Sequence, residues 1–277
     1  MSIQDLVPEG RGIQRLSAWG SRASNALAGL GVLGLVAVVA QATVSRVSDG
    51  LGNPWPDVSA SWAGLGLISV LTTVLLVASE VLHRGGASLE FSRKFAHVGG
   101  ALVATALPWA FDSHWPVLVL ALAFAAVFLV SRRLHVLVFL YESERNSLGD
   151  LVFPMGVYAA FFLSRGDPLV FLIAVLIVGL SDTSAALAGR RYGRHGFRLL
   201  GSQRSFEGSL AFFVTALGVT VSVLLAGSDA ASAYALAVGV LCAAVGAGVE
   251  AISPKGLDNV LVPAAIVVTL TSWVGLG

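Results

Sequence analysis

Long apolar runs, broken only by short polar stretches, fill this sequence from about residue 24 to its end. About 20 apolar residues coiled as an α-helix match a hydrocarbon core roughly 30 Å thick. The runs are continuous and do not alternate, which argues against a transmembrane β-barrel. The chain is 56% hydrophobic and 12% charged, and a soluble domain carries about twice that charge. The sequence therefore predicts an all-α, polytopic transmembrane helical bundle. Nine spans are expected, at about 24–44, 62–83, 95–111, 115–131, 148–164, 168–189, 207–227, 232–252 and 258–276. Pro108, Pro154 and Pro263 are expected kink points. Trp55, Trp62, Trp109 and Trp115 fall near span ends and read as interfacial anchors.

Lysines and arginines fix the expected orientation. With nine spans, all of the 17 basic residues except Arg46 and Arg165 fall on one side of the membrane. The positive-inside rule makes that side cytoplasmic, with the N-terminus inside and the C-terminus outside. Residues 1–23 read as a cytoplasmic segment, 24–79 as N-terminal spans with little motif content, and 80–277 as the chemistry-bearing region. A cleaved signal peptide ending near Ala40-Gln41-Ala42 is a competing reading, but it leaves eight spans of poorer charge balance. A bacterial inner membrane is the expected location. The net charge of +1 argues against a nucleic-acid partner. The single cysteine, Cys242, lies in an apolar run and is expected only to pack.

Asp49, Asp57, Asp112, Asp167 and Asp229 sit in the opposite, outer loops and read as solvated. Asp182, Glu207, Glu250 and Asp258 instead lie at the cytoplasmic ends of spans six to nine. Ionisable groups at membrane depth are costly unless paired, so they are functional candidates. Glu80 and Asp150 occupy similar depths, and pairing with a nearby arginine accounts for them equally well. Between Asp182 and Glu207 runs a basic, glycine-rich segment with Gly189, Gly193, Arg204 and Ser205, and Gly208 follows. Glycines allow close backbone approach by a ligand, and arginines offset phosphate charge. Asn259 adds an uncharged hydrogen-bond partner beside Asp258. Carboxylate oxygens suit Mg²⁺ held jointly with substrate phosphates, and no Cys/His cluster suggests zinc. There is no GxxxxGK[ST] sequence, so a P-loop is excluded.

A second constellation, Arg93, Lys94 and His97, opens span three in SRKFAHVGG. Arg93 and His97 are four apart and share a helix face. Membrane anchoring and phosphate contact are both open readings there. His83, His114 and His195 carry no assigned chemistry.

With these residues in hand, the chain resembles the CTP-dependent lipid kinases, the family of dolichol kinase, phytol kinase and CTP-dependent diacylglycerol kinase. The resemblance covers about residues 80–276. It is carried by RKFAHVGG at 93–100, SLGDLVFPMGV at 147–157, SDTSAALAGRRYG at 181–193, GSQRSFEGS at 201–209 and VEAISPKGLDNVLVP at 249–263. It implies CTP as phosphate donor and a nucleotide segment mapping onto Asp182, Gly189, Gly193, Arg204, Ser205, Glu207 and Gly208. A second element falls on Glu250, Asp258 and Asn259. Family members often carry two lysines where this chain has Gln203-Arg204. The family is distantly related to the CDP-diacylglycerol synthases, whose HGG-x-x-DR-x-D core is absent here.

The expected function is transfer of the terminal phosphate of CTP to a membrane lipid alcohol: a polyprenol, a phytol-like isoprenoid or diacylglycerol. Mg²⁺ is expected on some of Asp182, Glu207, Glu250 and Asp258. Asp182 or Asp258 is the candidate acceptor of the hydroxyl proton. Arg204, with Arg93 or Lys94, would neutralise phosphate oxygens; His97 and Asn259 are further binding candidates. The alternative is a CTP:phosphatidate cytidylyltransferase. A lipid transporter is a weaker reading, since no internal repeat is evident and the polar groups gather at one face.

Overall fold

The computed structural model describes residues 58–134, 137, 149–199, 202–254 and 256–274. Segment 1–23, the expected first span at about 24–44, Arg145, Lys255 and the side chain of Asp150 lie outside the described residues. In chain order the helices are α1 (Val58–Arg84), α2 (Leu89–Ala104), α3 (Leu107–Ala110), α4 (His114–Leu134), α5 (Gly149–Leu163), α6 (Pro168–Leu176), α7 (Asp182–Tyr192), α8 (Phe206–Gly227), α9 (Ser232–Ile252) and α10 (Asp258–Thr269). A π-helical turn, Ile177–Ser181, joins α6 to α7 without a break, and another, Leu270–Val274, ends α10.

Among the described residues, five helices are long and apolar enough to cross a membrane: Ala63–Arg84, His114–Ser131, Pro168–Tyr192, Phe206–Gly227 and Ser232–Ile252. Val152–Leu163 and Asp258–Ser272 are shorter apolar helices. The run expected as a span at 95–111 is divided in two. Pro108 has no N–H to donate and disfavours a helical residue before it. It therefore sits in the first turn of a new helix, α3, and does not kink a longer one. Pro154 and Pro263 do lie inside helices. Trp109 is only 7% exposed and belongs to the core, so it is no interfacial anchor, whereas Trp115 is well exposed.

The continuous helix Pro168–Tyr192 is the hub. Its α6 residues Val170–Val175 are buried on every side, as expected of a helix apolar all round. Helices α2, α5, α8 and α10 pack around it, with α1 outside α2, α4 outside α5, and α9 against α8 and α10. Small residues permit this approach. A Cβ on Gly179 would fall 2.3 Å from the Cβ of Ala101, where the π turn crosses α2. Outward faces carry Leu67, Val70, Val74 and Val77 on α1 and Leu210 and Val214 on α8, all exposed. That apolar belt suits lipid. Cys242 is buried in the core, as expected.

Gly156 on α5 fixes how closely the site-bearing end of α10 is approached. A Cβ there would lie 1.8 Å from the backbone oxygen of Asn259. The obstacle is backbone, so it cannot swing aside. Gly156→Ala is expected to displace the start of α10, with overpacking that destabilises by about 1–3 kcal/mol. Thermal unfolding of the detergent-solubilised protein should show a lowered midpoint together with reduced turnover.

Candidate active site

Polar side chains from five separate elements meet at one end of the bundle. Helix α2 supplies Lys94 and His97 in its second and third turns, and its start is capped by Ser88, whose Oγ accepts a hydrogen bond from Phe91 N. The π turn ends directly before Asp182. Such turns insert an extra residue into an α-helix and recur at functional sites. Arg204 comes from a short strand, Glu250 from the last turn of α9, and Asp258 and Asn259 from the first turn of α10.

Lys94 Nζ donates to Asp182 Oδ2 at 2.5 Å. Both side chains are about four-fifths buried. His97 Nε2 lies 3.8 Å from the same oxygen and 3.2 Å from the carbonyl of Val178. Asp182 Oδ1 carries no such contact among the described residues. Thus one carboxylate is gripped on one side and open on the other.

Arg204 makes a fork. Its Nη1 lies 3.0 Å from Glu250 Oε1 and its Nη2 2.8 Å from Asp258 Oδ2. Burial opposes the guanidinium charge, but Glu250 and then Asp258 outweigh it, raising the pKa above its ordinary value. Glu250 is 2% exposed, and its Oε2 has no hydrogen-bond partner among the described residues. Asp258 Oδ1 accepts from Asn259 N at 3.1 Å. A planar guanidinium is suited to spanning two carboxylates in this way.

The basic stretch expected as a loop contains a β-hairpin. Strand β1 (Gly196–Leu199) pairs antiparallel with β2 (Ser202–Ser205), in the register Phe197 to Arg204 and Arg198 to Gln203. This corrects the purely helical expectation. Glu207 is placed away from the Arg204 fork. Its Oε1 lies 2.8 Å from His195 Nδ1, and it accepts from the His195 backbone N–H at 3.3 Å. It ties the base of the hairpin to the start of α8. Ser205 caps α8, its Oγ accepting from Gly208 N at 3.1 Å.

Gly189, Gly193 and Gly208 gather around that same Ser205 Oγ, where α7 and α8 cross. The geometry gives these four residues a packing and capping role. Arg190 pairs with Glu90, and Arg191, Arg194 and Arg198 are exposed. Glu80 pairs with Arg84, one turn on, at 2.5 Å. Sequence reasoning missed the Glu207–His195 pair and Gly156. Gly156 lies two positions after the expected kink residue Pro154, and a glycine inside an apolar helix is itself the available signal.

No protein-family model matches the chain, and no solved structure does. A curated protein matches well. Over 217 residues the chain is 30% identical to the phytol kinase of Synechocystis, covering 77% of this chain and 92% of that protein. The chain belongs to the lipid kinase family of phytol kinase. Membership makes it a phosphotransferase acting on an alcohol group.

In this kinase, the hairpin gives Gln203 a basic neighbour. Directly paired residues of an antiparallel ladder share a face, so Arg198 stands beside Gln203 on the face opposite Arg204. A positive charge absent at 203 is thus present across the strand. The donor set also fits a divalent cation. Three carboxylates, Asp182, Glu250 and Asp258, face two basic side chains, Lys94 and Arg204. A buried carboxylate oxygen on Glu250 lacks a partner among the described residues. Among those residues no three acidic, His or Cys side chains form a ready metal cage. Mg²⁺ does not require one, because it binds through one or two carboxylates with substrate phosphates.

Proposed function

We propose that this kinase transfers the terminal phosphate of CTP to the hydroxyl of a membrane isoprenoid alcohol of the phytol type, at the cytoplasmic face. The observation that carries this reading is the convergence of Lys94–Asp182 with the Arg204 fork at one end of the apolar bundle, in a relative of phytol kinase. The distribution of Lys and Arg supports a nine-span arrangement with that end in the cytoplasm.

Phosphoryl transfer demands positioning and charge neutralisation more than covalent help. Arg204 and Lys94 orient phosphate oxygens. Asp182 takes the hydroxyl proton, since one of its oxygens is open while both oxygens of Asp258 are engaged. The hydroxyl oxygen bonds to the terminal phosphorus, the bond from that phosphorus to the bridging oxygen breaks, and CDP leaves with the bonding electrons. Glu250, with its unpartnered Oε2, and Asp258 beside it are the residues that would hold Mg²⁺, which when bound offsets the nucleotide's phosphate charge.

The test is label transfer. Purified protein with phytol, Mg²⁺ and CTP labelled in the γ-phosphate should yield labelled lipid, and CTP labelled in the base should not. Base label in the lipid would make it a cytidylyltransferase; transfer from ATP but not CTP would overturn the donor.

A further inference from the structure

A second cavity, apolar and unused in the chemistry above, opens beside the carboxylates. It is a half-open cleft between α1, α2, α4 and α5, with about 820 Å³ of non-protein space when the solvent at its open side is included. Apart from Thr72, its polar lining consists of Arg93 and His97. His97 also stands 3.8 Å from Asp182, so the polar mouth of the cavity adjoins the reacting end of the site. Phe153 packs on His97, and the lining extends along α2 to Ala104, its last residue, and to Val117 in the first turn of α4.

We propose that this groove holds the hydrocarbon tail of the alcohol substrate and measures its length. The inference rests on the lipid-alcohol reading and adds where the tail lies. From Arg93 to Ala104 the groove follows α2 for eleven residues, about 16 Å at the helical rise. That is close to one leaflet, half of a hydrocarbon core of about 30 Å. The polar mouth leaves the hydroxyl beside Asp182 while a single chain descends along Gly100 towards Ala104. Gly100 packs closely on Phe153, where an added Cβ would meet the ring at 3.1 Å. The lining fits a single flexible apolar chain, since apart from the mouth only Thr72 offers a side-chain hydrogen bond.

The full chain in detergent should be photolysed with a C20 isoprenoid alcohol bearing a diazirine on its last carbon. Adducts are expected at the far end of the groove, around Ala104 and Val117, and excess phytol should suppress them. Adducts on outward-facing Val119 and Leu122, or labelling that phytol does not suppress, would overturn the groove. In parallel, Ala104→Phe shortens the groove. Its kcat/KM for a C20 alcohol is expected to fall at least about tenfold while that for a C10 alcohol stays within about twofold. Equal loss for both lengths would overturn the length measurement. Competed labelling without phosphorylation of any alcohol would leave the groove standing and sink the proposed activity instead.

Discussion

Arg204→Ala is expected to abolish phosphorylation and to lower the stability of the bundle by about 3 kcal/mol, the lower end of what breaking a buried ion pair costs. The lower end applies because the guanidinium is still 23% exposed. The loss arises from what remains. Glu250 is 2% exposed and Asp258 is 7% exposed, so removing the fork leaves two buried carboxylates facing each other without a cation. Arg204→Lys separates charge from geometry. A lysine keeps the charge but cannot reach both carboxylates as a planar fork, so much of the stability should return while activity stays low. Arg204→Met combined with Glu250→Gln and Asp258→Asn removes all three charges together. This triple variant should unfold close to wild type yet remain inactive, because replacing a whole buried charge group is often neutral. Chemical or thermal unfolding and a label-transfer assay measure the two effects separately. An Arg204→Ala protein with wild-type stability and turnover would remove the fork from both roles.

The fork also shows what the sequence could and could not reveal. Arg204, Glu250 and Asp258 each stand out as charges at the edges of apolar runs, because burying an isolated charge in a membrane is expensive. Their pairing is invisible at that level, since 54 positions separate Arg204 from Asp258 and only tertiary packing joins them. Lys94 is similar. Anchoring and phosphate contact are both open for it in the sequence, and only the crossing of α2 and the π turn sets it against Asp182, 88 positions away.

Glu207 shows the reverse case. An acidic residue in the first turn of a helix, just after a Ser cap, is favoured by the helix dipole alone. Ser205-Phe206-Glu207-Gly208 is therefore a helix start as well as a motif, and the structure uses it to bind His195. Gly189, Gly193 and Gly208 likewise permit close backbone approach, but the backbone that approaches belongs to the same protein. The hairpin went unread because two four-residue strands carry too little alternation to compete with the surrounding charge pattern. The helical class and five of the expected spans were legible for the opposite reason: apolar runs of membrane length leave the backbone little alternative to an α-helix.

Asp182→Asn should reduce kcat by about 10²–10⁴-fold, the range for losing a positioned general base, with little change in stability. The substitution keeps the shape and leaves an amide oxygen for Lys94, and Lys94, 21% exposed, can turn towards solvent if the contact weakens. If Asp182 only anchored Lys94, then Lys94→Met would carry the same penalty as Asp182→Asn. A general base and a lysine anchor leave different kinetic signatures. Lys94→Met removes one phosphate-facing cation but leaves the proton acceptor, so it should raise KM for the nucleotide more than it lowers kcat. Asp258→Asn provides the comparison within the same cluster. Both oxygens of Asp258 are already engaged, by Arg204 and by Asn259 N, so its loss should act mainly through the fork and lower the unfolding midpoint as well as turnover. Steady-state kinetics with unfolding curves on the three variants decide the matter. If Asp182→Asn turns over within about twofold of wild type, a difference far too small for a lost base, the proton is taken elsewhere and Asp182 serves only to hold Lys94.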